Sequence, residues 1–78
     1  MMKDVGNVKI SIKDIAKKRG FTNPNQIVRK TGLHHRVVYR YWHGEITKPD
    51  KELLAIFCFL LKCDISDIIV YVPPKNVN

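Results

Sequence analysis

The residues with the most chemistry in this 78-residue chain lie in one run, Asn23 to Gly44: NPNQIVRKTGLHHRVVYRYWHG. His35, Arg36, Tyr39, Arg40 and His43 recur at the spacing that gathers side chains on one face of a helix. Val38, Tyr41 and Trp42 fall on another face. The predicted helix covers roughly His34 to Trp42 and stops at His43-Gly44. A second helix precedes it. Asn23 is a good N-cap there, Pro24 suits the first helical position, and Gln26 sits three residues after the cap. Thr31-Gly32 ends that helix, because glycine takes the left-handed conformation freely. A short basic helix braced by another helix is the geometry that enters a DNA major groove.

Other chemistries fit poorly. His34 and His35 are adjacent and point about 100° apart on a helix. No Cys-x-x-Cys or His-x3-His pair sets zinc spacing. No Gly-rich phosphate loop, nucleophile elbow or paired carboxylate cluster is present. Glu45, Asp50, Asp64 and Asp67 read as caps and surface charges. The expectation is a chain that is not an enzyme, with no metal and no cofactor.

The net charge of +7 points to a polyanionic partner. Its distribution is sharper. Residues 1–51 hold twelve Lys/Arg against four Asp/Glu, and residues 52–78 hold two against three. The positive charge belongs to the half that contains the two motif helices. A solvated basic surface that only aids solubility would not need that coincidence.

The length bounds the chain to one domain, with an ordered core of about 8–73, and 45% apolar content supplies one modest core. The N-terminus lacks the apolar core of a signal peptide, and the longest apolar run, Leu53 to Leu61, is too short to span a membrane. A cytoplasmic protein is expected, with no membrane partner. Cys58 and Cys63 read as free thiols, since one helix turn does not offer disulfide geometry.

The supporting elements follow in chain order. Val8 to Ile12 alternates as a strand does, or leads into the first helix. That helix spans about Ile12 to Arg19, with Ser11 as its cap, Ile12, Ile15 and Ala16 inward, and Gly20 as the stop. Phe21 is a core residue. Glu45 to Pro49 is a loop. Asp50 caps a fourth helix that runs to about Lys62. Leu54, Phe57, Cys58 and Leu61 form its core stripe. Leu53, Ile56 and Leu60 form a second stripe, which packs on the chain termini or serves self-association. Asp64 caps a last short helix. Tyr71-Val72, paired with Val8 to Ile12, would make a small two-stranded sheet.

The pieces IKDIAKKRG, NPNQIVRKTGL, VVYRYWHGE, TKPD, ELLAIFCFLLKC and DISDIIVYVP, in this order, resemble the Cro/repressor-type helix-turn-helix domains of bacteria and their phages. This is the lambda-repressor-like, or XRE, group, and the last piece resembles its short-form branch. The resemblance covers about residues 9–73. It implies an all-α fold: a compact four- to five-helix bundle with a helix-turn-helix, with room for the small terminal sheet. The recognition helix in such domains usually starts with Ser, Asp or Thr where His34 stands, which implies a weaker cap here.

The same resemblance implies roles. The helix from His34 would lie in the major groove of double-stranded DNA. His35, Arg36 and Arg40 would read bases, with Arg36 first, because a guanidinium donates two hydrogen bonds to guanine O6 and N7. Val37 would meet a thymine methyl, and Tyr39 would touch base or backbone. Asn23, Asn25, His43, Thr47, Lys48 and Lys51 would hold phosphates. Lys17, Lys18 and Arg19 would supply diffuse attraction. A homodimer would match a near-palindromic site. No small-molecule ligand is expected. The reading is a sequence-specific transcriptional regulator, such as a repressor. The alternatives are a protein-interaction module, such as the antitoxin of a toxin–antitoxin pair, and a sequence-independent nucleic-acid-binding protein.

Overall fold

The computed structural model describes residues 5–74. In chain order its elements are β1 (Asn7–Ile10), α1 (Lys13–Lys18), α2 (Pro24–Thr31), α3 (His35–His43), α4 (Lys51–Leu61), a 3-10 turn (Ile65–Asp67) and β2 (Ile69–Val72).

The sheet corrects the all-α expectation: the fold is four helices closed by two antiparallel strands. Val8 faces Tyr71 and Ile10 faces Ile69. Only Ile10 of β1 is buried, so one apolar contact sets the register while backbone bonds extend it. The Ser11 N–H donates to the Ile68 carbonyl at 3.0 Å, and the Tyr71 hydroxyl donates to the Val5 carbonyl at 2.7 Å. Gly6 has φ +83°, and a Cβ there would collide with the Val72 carbonyl oxygen. The strands join the first and last elements of the described residues.

α2, α3 and α4 each start where a side chain accepts free backbone N–H groups. Asn23 Oδ1 accepts from Gln26 N–H at 3.3 Å. The Gln26 side-chain Oε1 reaches one residue further back than a capping box and accepts from the Thr22 N–H at 2.6 Å. Asp50 Oδ1 accepts from the Glu52 and Leu53 N–H groups at 2.8 and 3.3 Å. Ser11 does not head α1, which follows Ile12 as its capping residue. The Ser11 hydroxyl instead bridges: it accepts from Lys13 N–H and donates to the Trp42 carbonyl at 3.1 Å.

The helix ends divide by residue type. α2 and α3 stop at left-handed Gly32 and Gly44. α4 stops one residue earlier than expected, at Leu61, because Lys62 takes a left-handed φ of 51°. Arg19, expected to supply diffuse attraction, is exposed and is also tied to the end of α4. Its guanidinium donates to the Leu61 carbonyl at 2.7 Å and the Lys62 carbonyl at 3.3 Å. A cation at the carbonyl end of a helix also meets its negative dipole.

The core joins all layers. Ile10, Ile12, Ile15 and Ala16 meet Ile27, Val38, Tyr41 and Trp42, with Leu54, Phe57, Leu61 and Ile68 behind. Phe21 packs against this cluster, half-buried.

Candidate nucleic-acid interface

The last carbonyls of a helix lack partners within it. Those of α3 find them in the β1–α1 junction. The Tyr41 carbonyl accepts from the Ile12 N–H at 3.0 Å, and the Trp42 carbonyl accepts from Ser11 Oγ. The Tyr41 phenol oxygen accepts from the Asp50 N–H at 3.0 Å, and its ring lies 5.0 Å from that of Phe57. Val38, Tyr41 and Trp42 are buried. Trp42 therefore packs in the core and is not a stacking surface. One face of α3 is fixed by these contacts, and the other is open.

On the open side His35, Arg36, Arg40 and His43 are exposed, and Tyr39 is half-buried. Val37 is also half-buried and packs against the core, so only part of its side chain is free. His34 serves where a weak cap was expected: its Nδ1 accepts from the Arg36 N–H at 3.2 Å. An imidazole nitrogen with a lone pair can replace the oxygen of the usual capping residues. The cap fixes the backbone of Arg36, the foremost base-reading candidate.

Four rings run along this face. His34 and His35 stack at 4.6 Å, His35 meets Tyr39 edge-on at 6.2 Å, and Tyr39 lies 6.1 Å from His43. The four-residue spacing of positions 35, 39 and 43 carries this signal in the sequence, but the ladder of contacts becomes visible only with ring geometry. The Tyr39 hydroxyl also donates to Asn25 Oδ1 at 3.4 Å. That bond joins α2 to α3 and sets a phosphate candidate beside a base candidate.

The other phosphate candidates fall into two groups. Asn23 and Asn25 lie exposed at the N-terminal end of α2, where backbone N–H groups and the helix dipole favour an anion. Asn23 already caps the helix. His43 and Thr47 line a groove with Asn7, Lys9 and Ser11, so β1 adds Lys9, which the sequence reading left out. Lys48 and Lys51 are exposed on either side of the α4 cap, Asp50.

The second stripe of α4 divides. Leu53 and Leu60 are half-buried and pack against the core, and Ile56 is 38% exposed. Phe59, outside that stripe, is 87% exposed and is the most open large apolar side chain among the described residues. Among the same residues no helix is long and apolar enough to cross a membrane.

No curated protein and no solved structure matches the chain. A family model does match, over residues 11–74, from the α1 lead-in to the end of β2 and just beyond. That span holds both motif helices and every contact that anchors α3, and the chain belongs to the Cro/C1-type helix-turn-helix DNA-binding domain family.

Proposed function

We propose that this protein is a sequence-specific, double-stranded DNA-binding regulator of transcription that acts as a repressor by covering its site. The observation that carries this reading is α3. Its apolar face is held by Tyr41, Trp42 and their partners, while Arg36 and Arg40 project from an exposed face one turn apart. Arg36 reads guanine, with Arg40, His35, Tyr39 and the open part of Val37 alongside. Asn23 and Asn25 hold phosphate on one side, and His43, Thr47, Lys48 and Lys51 on the other. The site of action is the cytoplasm.

A homodimer belongs to the same reading. Ile56 and Phe59 lie three residues apart on α4, on one exposed face. Two copies of that face burying each other would place two α3 helices on the half-sites of a near-palindrome.

The test is selection from a random duplex library at about 150 mM salt, where phosphate attraction alone is partly screened. Wild type is run beside Arg36→Ala. The expected result is an enriched near-palindrome whose guanine preference weakens in the variant, with a loss of about 1–3 kcal/mol at that base. Enrichment of nothing refutes sequence-specific binding and favours a protein-interaction module, such as an antitoxin. Affinity that falls alike on all sequences as salt rises favours sequence-independent binding.

A further inference from the structure

Two cysteines that the DNA-facing surface does not use flank the left-handed turn after α4. The N–H groups of Lys62 and Cys63 both donate to the Cys58 carbonyl, the second at 3.1 Å. A helix that ends this way folds its following residue back over the last turn, and the side chains at those two positions normally touch as an apolar pair. Here both are free thiols.

The turn decides the geometry. Had the helix continued, residues five apart would stand roughly 8–9 Å apart at Cα, beyond the about 7 Å that a disulfide can bridge. The left-handed Lys62 removes that obstacle, and Arg19 pins the turn through the Leu61 and Lys62 carbonyls. Both cysteines are half-buried and line one groove with Arg19, Phe59, Asp64 and Asp67.

We propose that Cys58 and Cys63 are a reversible dithiol–disulfide pair, oxidised in place by exchange with a low-molecular-weight disulfide such as oxidised glutathione. Burial, then Cys58 and Asp67, push the Cys63 thiol up to about 11, so it stays protonated and Cys58 attacks first. The Cys58 thiolate bonds to one glutathione sulfur and expels the other glutathione as a thiolate. Cys63 then gives up its proton to solvent and attacks the Cys58 sulfur of the mixed disulfide. The second glutathione leaves, so one protein disulfide and two reduced glutathiones replace two protein thiols and one oxidised glutathione.

The test is equilibration of the full chain with mixtures of oxidised and reduced glutathione, an acid quench, alkylation of free thiols and intact-mass measurement. The expected product has lost two hydrogens, carries no glutathione and takes up no alkylating agent. Its yield is higher in native buffer than in guanidinium at the same glutathione ratio, because the folded turn holds the sulfurs together. Cys58→Ser and Cys63→Ser each stop at one retained glutathione. Two retained glutathiones on the wild type, covalent dimers, or a disulfide yield in denaturant equal to or above the native one would overturn the proposal.

Discussion

Tyr41→Phe isolates the link between α3 and α4. The phenol oxygen accepts the Asp50 N–H at 3.0 Å, and Tyr41 is 3% exposed. Phenylalanine keeps the ring, its burial and its contact with Phe57, so no cavity forms. What is lost is one hydrogen bond, and a partly buried backbone donor is left without its partner. Loss of a typical bond is worth about 1 kcal/mol, and an unsatisfied buried donor about 1–3. The bond is only part-buried, so water partly replaces the phenol and the expected loss is about 1–2 kcal/mol. Asp50 is also the α4 cap, so the loss appears as fraying at Lys51–Leu53 as well as in global stability. The assay is urea unfolding with thermal melting. For a domain of this size each kcal/mol moves the midpoint by about 4–8 °C, with the urea slope unchanged. DNA affinity measured well below the melt stays within about twofold, because the Ser11 and Ile12 bonds to the end of α3 remain. A midpoint shift below about 2 °C would refute the account of this bond. A large affinity loss in a variant of unchanged stability would show that the phenol positions α3 directly.

Two further substitutions probe helix ends. Lys62→Gly removes a non-glycine residue from φ 51° and should stabilise the fold by about 0.5–1 kcal/mol, read as a higher urea midpoint. His34→Ala removes the Nδ1 acceptor of Arg36 N–H and should lower stability by about 0.5–1 kcal/mol, while His34→Asn, a stronger capping type, should retain it. Equal urea midpoints for the alanine and asparagine variants would mean that the imidazole is not the cap.

The helix-turn-helix was legible because its punctuation is local. Asn23, Pro24, Gly32 and Gly44 act on their own neighbours, and α2 and α3 begin and end within one residue of where those signals stand. The sheet was less legible for a physical reason. Val8–Ile12 and Tyr71–Val72 are short apolar runs separated by nearly the whole chain, and a period of two over so few residues leaves strand and helix lead-in alike. The Ser11 N–H to Ile68 carbonyl bond decides the matter, and no local rule announces it. Arg19 is similar. Its carbonyl partners lie more than forty residues away, so sequence pattern shows a cation and only the fold shows its commitment.

The surface of α4 was the least legible part, because its nine consecutive apolar residues erase the contrast that reveals a face. In such a run the buried positions are set by what the neighbours cover. Leu53 and Leu60 are tucked against the core, and Phe59 is left in the open. The cysteines show the same limit from another side. Lys62 carries no glycine signal, so α4 read as continuing through it, and a continued helix would have held Cys58 and Cys63 apart. Both are free thiols, as expected, and one left-handed residue removes the separation that a continued helix would impose. Backbone conformation at a single unmarked position thus sets how near two thiols stand, and the glutathione equilibrium tests whether they act as a pair without reference to DNA.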